Sequence, residues 1–135
     1  MKKTILIIED YPNVVEVLRM RLQNAGYHVL VAFDGQEGLK LARSQQPDLI
    51  ILDIMLPKMN GYKLARLLKF DAKYKHIPIF MLTSRTKPSD MQLGKQTGAD
   101  EYITKPYDPI ELLRLIDKHL RTPRLASSMV GPKRA

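Results

Sequence analysis

Two hydrophobic rhythms alternate along the chain. Residues 4–8 (TILII) are an apolar run of strand length, the pattern of a strand buried on both faces. Pro12 suits the first turn of a helix. Val14, Leu18, Leu22 and Ala25 then recur at helical spacing, and Gly26 supplies a stop. Residues 27–33 return to an apolar, β-branched run. Asp34 with Glu37 forms a capping-box pattern that opens a helix carrying Leu39, Leu41 and Ala42. Pro47 punctuates, and an unbroken run over 49–52 ends in Asp53. Pro57 and Asn60-Gly61 mark a loop. A helical pattern follows over 62–73, a strand pattern over 77–82, a weaker helix from Pro88 to Gln96 ended by Gly98, and a short strand over 101–104. Asp108-Pro109-Ile110-Glu111 then combines a cap, a first-turn proline and a third-position glutamate, opening a helix with Leu112, Leu113, Leu115, Ile116 and Leu120.

Five strands alternating with five helices predict an α/β fold, a parallel sheet with helices on both faces. For five doubly wound strands the common order is 2-1-3-4-5, and ligands bind beyond the carboxyl ends of the strands. The expected strand ends are Glu9-Asp10, Asp53, Thr83-Ser84 and Thr104-Lys105-Pro106. Strands 1, 3, 4 and 5 are neighbours in that order, so three carboxylates, a hydroxyl and an ammonium are expected on one rim. Clustered carboxylates repel unless a cation neutralises them. Hard oxygen ligands suit Mg²⁺, which often binds a phosphate as well. Lys105 can place a point charge on a phosphate oxygen, Thr83 can donate a hydrogen bond, and Asp53 can attack phosphorus to form an acyl phosphate. Such a site is equipped for phosphoryl transfer.

Composition narrows the class. The chain has 135 residues, the size of one ordinary domain, and is 44% hydrophobic and 27% charged. No apolar stretch is long enough to span a bilayer. The opening MKKTILIIED runs from basic to apolar, but its apolar part is too short for a signal peptide and two acids follow. A cytoplasmic protein without membrane insertion is expected. The absence of cysteine excludes disulfides, thiolate metal sites and cysteine nucleophiles. The net charge of +8 fits either a solvated basic surface or an acidic or nucleic-acid partner. Arg121, Arg124, Lys133 and Arg134 fall in the last fifteen residues, which hold no acid and no apolar period; a basic flexible tail or linker is expected there.

Four stretches, ILIIED at 5–10, LIILDIMLPKMNG at 49–61, IFMLTS at 79–84 and TGADEYITKPYDPIELL at 97–113, together resemble the receiver domain of bacterial two-component response regulators, the CheY-like superfamily. The resemblance covers residues 4–121, giving an expected receiver domain over 1–121 and a tail over 122–135. It implies a flavodoxin-like doubly wound sheet of five parallel strands, order 2-1-3-4-5, with five helices. It implies that Asp53 accepts phosphate from a sensor histidine kinase or a phosphotransfer protein. Glu9 and Asp10 match the acidic pair that binds Mg²⁺, with Asp53 and the Met55 backbone carbonyl completing the protein ligands. Lys105 matches the lysine that contacts the phosphoryl group, and Lys105-Pro106 the usual cis peptide. Thr83 and Tyr102 match the switch pair, whose hydroxyl swings to the phosphate while the aromatic ring turns inward. The implied function is a phosphorylation-dependent switch. It catalyses only its own phosphorylation and dephosphorylation, and it signals to a partner or output domain through helix 4, strand 5 and helix 5. The chain would be either a stand-alone regulator or part of a longer one, and direct nucleic-acid binding is not expected.

Some positions depart from the family. Ser84 stands where alanine is frequent, and Met55 and Arg85 lie near positions that tune hydrolysis. Asp100, Glu101 and Glu111 keep part of a charged dimer face, but Met91, Leu93 and Leu115 replace its expected basic residues. That argues against the usual dimer and leaves apolar side chains for another partner. Two other functions compete: a small phosphatase-like enzyme with an aspartyl nucleophile, and a basic nucleic-acid-binding module. The first lacks a second acid two residues after Asp53. His28, His76 and His119 lack metal-ligand spacing. The seven methionines read as core filler. Lys63, Arg66, Lys69 and Lys73 form a basic stripe opposite Leu64, Leu67 and Leu68, either a solvated face or, with the tail, a dock for an acidic partner.

Overall fold

The computed structural model describes residues 2–84 and 87–121. The strands are β1 (Thr4–Ile8), β2 (His28–Ala32), β3 (Leu49–Asp53), β4 (Ile79–Thr83) and β5 (Glu101–Thr104). They form one sheet of order β2-β1-β3-β4-β5, with every neighbouring pair parallel. The helices are α1 (Pro12–Asn24), α2 (Gly35–Gln45), α3 (Gly61–Lys69), α4 (Pro88–Gln96) and α5 (Pro109–Arg121). Architecture and strand order are those expected from the sequence. Among the described residues no helix is long and apolar enough to cross a membrane. Arg85 and the expected tail over 122–135 lie outside the described residues.

The continuous apolar runs are explained by two cores, one on each face of the sheet. Successive strand residues point to opposite faces. Ile5, Ile7, Leu49, Ile51, Phe80 and Leu82 pack with Val15, Leu18 and Leu22 of α1 and Leu112 and Ile116 of α5. Leu6, Ile8, Ile50, Leu52, Ile79 and Met81 pack with Ala42 of α2 and Leu64, Ala65 and Leu68 of α3. Each such Val, Leu, Ile, Phe or Met side chain contributes about 1.5–3 kcal/mol when fully buried. This double-sided burial fixes the strand ends against each other.

Helix starts aim the loops at the rim. The Asp34 carboxylate accepts from Glu37 N at 2.8 Å, and Glu37 Oε1 accepts from Phe33 N at 3.1 Å, one residue before the cap. Asn60 caps α3 by accepting from Lys63 N at 2.9 Å. The next residue must be small: a Cβ on Gly61 would lie 2.7 Å from Asp53 O and from Ile54 Cα. The close approach seats the start of α3 against the end of β3.

Four expectations need correction. Val15 rather than Val14 faces the core; Val14 is exposed. The third helix stops at Lys69, not residue 73, because residues 71–75 form a turn in which Tyr74 N and Lys75 N donate to Asp71 O. The basic stripe is therefore interrupted, and Leu67, expected opposite it, is exposed on the same side as Lys63 and Arg66. Lys73 lies beyond the helix, and the Lys69 ammonium points inward to Lys75 O at 2.8 Å, Ile77 O at 3.0 Å and Asp100 Oδ2 at 2.9 Å. Nor are the methionines core filler: among the described residues only Met81 is fully buried, while Met20, Met55 and Met91 are exposed.

Candidate functional site

Strand register brings the chemistry together. Ile8 is level with Leu52, so the following Glu9 is level with Asp53. Asp53 is level with Leu82, and Thr83 is level with Thr104. Lys105 therefore starts one residue past the end of β5 and must reach across β4. Its backbone N donates to Thr83 O at 2.7 Å. Its Nζ lies 3.0 Å from Asp53 Oδ2 and 3.3 Å from Glu9 Oε1. The Lys105–Pro106 peptide is cis, as expected.

The acids are not loosely solvated loop residues: Glu9 is 4% exposed and Asp53 6%. Backbone donors hold each in place. Tyr11 N donates to Glu9 Oε2 at 3.2 Å, and Met55 N donates to Asp53 Oδ1 at 3.0 Å. Oxygens of Glu9, Asp10 and Asp53 all lie within 4.8 Å of one another. One ammonium faces three carboxylates, so the cluster carries excess negative charge when all are ionised. Burial, then the hydrogen bond and repulsion from Asp53, push the Glu9 carboxyl up to about 7. Burial alone would pull Lys105 down; the Asp53 and Glu9 carboxylates outweigh it and raise the ammonium above its ordinary value.

One atom remains unmatched. Asp10 Oδ1 is buried and has no hydrogen-bond partner among the described residues. A buried unpaired acceptor costs about 1–3 kcal/mol, more when charged. A hard divalent cation would meet that oxygen and the shared charge together, so the donor set fits an oxygen-ligated metal.

Thr83 is buried at the end of β4, beside this cluster in the sheet. Tyr102 sits on β5, away from the carboxylates. Its hydroxyl lies 3.4 Å from the Tyr62 hydroxyl and 3.4 Å from Asp90 O of α4. The Tyr62 hydroxyl makes the same 3.4 Å contact with Asp90 O. The Tyr102 ring fills the space that a side chain on Gly94 would take.

This arrangement has known counterparts. The family profile described as "Response regulator receiver domain" matches residues 5–117. The chain belongs to the response regulator receiver domains. It is 39% identical over 127 residues to the alkaline phosphatase synthesis transcriptional regulatory protein PhoP of Bacillus subtilis, covering 94% of this chain and 52% of that protein. The receiver domain thus spans about half the length of that relative. The chemotaxis response regulator CheY4 of Vibrio cholerae superposes with a TM-score of 0.82 at 34% identity, covering 89% of this chain and all of that one. The receiver domain of sensor histidine kinase PA1611 from Pseudomonas aeruginosa, solved with a magnesium ion coordinated in its active-site cleft, superposes with a TM-score of 0.83 at 29% identity. It covers 90% of this chain and all of that one. Neither the phosphatase-like enzyme nor the basic nucleic-acid module draws support from these likenesses.

Sequence reasoning does not mark Tyr62, Gly94 or Gly61 as functional. For Gly61 a signal existed, since Asn60-Gly61 reads as a turn just after Asp53. Tyr62 and Gly94 meet Tyr102 only through the packing of α3 and α4 against the sheet, and no local spacing reveals that.

Proposed function

We propose that the receiver domain is a phosphorylation-dependent switch in which Asp53 takes a phosphoryl group from the phosphohistidine of a sensor kinase or phosphotransfer protein. The observation that carries this reading is the Lys105 ammonium at 3.0 Å from a buried Asp53, beside an Asp10 oxygen that has no partner among the described residues. Glu9, Asp10, Asp53 and the Met55 backbone carbonyl would hold Mg²⁺, which supplies charge neutralisation for the phosphoryl oxygens. The magnesium ion in the cleft of the Pseudomonas relative supports that choice of metal.

The protein's own groups do the rest. Lys105 and the Met55 N–H orient the Asp53 carboxylate. A carboxylate oxygen attacks phosphorus, the phosphorus–nitrogen bond breaks, and the leaving imidazole nitrogen takes up a proton. Lys105 then pairs with a phosphoryl oxygen, and the Thr83 hydroxyl donates to another. The added charge biases the face of α4, β5 and α5 through Thr83 and Tyr102. The domain catalyses only its own phosphorylation and dephosphorylation. The Bacillus relative is named a transcriptional regulator, which supports a readout through a partner or output domain, with any nucleic-acid contact belonging to that output.

The test is incubation with phosphoramidate, with and without Mg²⁺, read by intact mass. The expected result is a single base-labile phosphate adduct that requires Mg²⁺ and is missing from Asp53→Asn. Equal labelling of Asp53→Asn would overturn the assignment.

A further inference from the structure

We propose that the cleft between α3 and α4 is a docking groove for an acidic amphipathic helix of a partner protein. Two cavities of about 680 and about 610 Å³ meet there, sharing Asn60, Tyr62 and Leu93. Leu67 and Phe70 extend the apolar wall of the first, and Lys63 and Arg66 form its rim. The second continues past Leu56 to Met55 and Tyr11, beside the carboxylate rim. Single exposed apolar side chains are ordinary. Here Phe70 is 68% exposed, Leu93 41% and Leu67 38%, and all three line one concavity, where they offer a partner grouped apolar anchors.

The charge pattern selects the occupant. Residues 63, 66, 67 and 70 are spaced i, i+3, i+4 and i+7, so basic and apolar side chains share one face at the edge of the groove. Among the described residues no acid lines either cavity, and neither Lys63 nor Arg66 has an acidic partner within salt-bridge distance. Of the expected stripe these two remain available, since Lys69 is turned inward. A helix bearing apolar anchors one and two turns apart, flanked by glutamates, fills the concavity and pairs the rim. A second copy would set Lys63 and Arg66 against themselves in a two-fold interface, at a net charge of +8 per chain. A nucleic acid would leave Leu67, Phe70 and Leu93 uncovered, and a flat lipid surface does not enter a concave groove.

Binding here needs no phosphoryl group, so the test uses the unphosphorylated protein and does not depend on the assignment of Asp53. The probe is a synthetic amphipathic peptide with leucines at alternating three- and four-residue spacing and glutamates on both flanks. It is titrated into ¹⁵N-labelled protein. The expected amide shifts cluster at residues 60–70 and around Leu93. The double substitution K63E/R66E weakens binding about tenfold or more, and a lysine-flanked version of the peptide recovers it. Both positions are exposed, and an unchanged spectrum of the free variant shows that the fold is kept. Phe70→Ser removes an apolar wall residue without touching charge and is expected to weaken binding as well. Equal binding of a scrambled or charge-swapped peptide to the parent protein overturns the proposal. So do shifts mapping elsewhere, or a groove occupied instead by a second copy in sedimentation or by anionic vesicles.

Discussion

At the scale of single residues, the account turns on how one rim carries three carboxylates. Glu9 holds its proton up to about pH 7, against an ordinary value of 4.5, mainly because it is buried. The folded, metal-free state therefore binds a proton that the unfolded chain releases. Its contribution to stability is complete below about 4.5 and is lost as pH rises through about 7. An Mg²⁺ ion held by Glu9, as proposed, would compete with that proton, and its binding would strengthen over the same rise. Saturating Mg²⁺ is expected to raise the thermal midpoint more at about pH 8 than at about pH 6, and Glu9→Gln to remove most of the difference. An Mg²⁺ effect independent of pH would contradict the role given to Glu9. Lys105→Met leaves the Asp53 and Glu9 carboxylates facing each other without their ammonium, and phosphoramidate labelling is expected to fall about tenfold or more. That Glu9, Asp10, Asp53 and Lys105 share one rim was legible in the sequence because each sits where a strand pattern stops. Which acid keeps a proton, and that one Asp10 oxygen lacks a partner among the described residues, were not; both depend on burial by remote neighbours.

At the scale of elements, periodicity located every strand and helix of the described residues, but phase and length escaped it. Val14 and Val15 both satisfy a loose helical stripe; the packing of α1 on the sheet chooses Val15. The helical spacing of Lys63, Arg66, Lys69 and Lys73 continues past the point where the backbone turns at Asp71. Close approaches between elements are also invisible to local pattern, and two of them are testable. A methyl group at Gly61 meets backbone rather than a flexible side chain. Gly61→Ala is expected to cost about 1–3 kcal/mol in chemical denaturation and to slow phosphorylation by shifting Asp53. At Gly94 the added methyl collides with the Tyr102 ring. Gly94→Ala is expected to destabilise the fold, and truncating Tyr102 to alanine in the same chain to recover part of the loss. A double-mutant cycle measures that coupling. Additivity of the two changes would mean that the ring is not seated on Gly94.

At the scale of the whole molecule, the sheet order was legible because an alternating α/β pattern leaves few topologies. Long-range straps were not. Lys69 reads as one more surface lysine, yet its ammonium joins the end of α3 to the approach to β4 and to Asp100 ahead of β5. Asp100 in turn accepts from Ile79 N at 2.7 Å, fixing the start of β4. Lys69→Met is expected to cost about 1.5–3 kcal/mol, while Lys63→Met stays within about 0.5 kcal/mol; urea denaturation separates the two. The same strands whose starts are tied here deliver the side chains at the opposite, carboxyl edge, where the central claim lies. Its most direct measurement is chemical trapping: treat the Mg²⁺-bound protein with phosphoramidate, reduce with borohydride and sequence the peptides by mass spectrometry. Reduction of an aspartyl phosphate leaves homoserine. The account predicts homoserine at position 53 alone, and homoserine at another aspartate, or none, would contradict it.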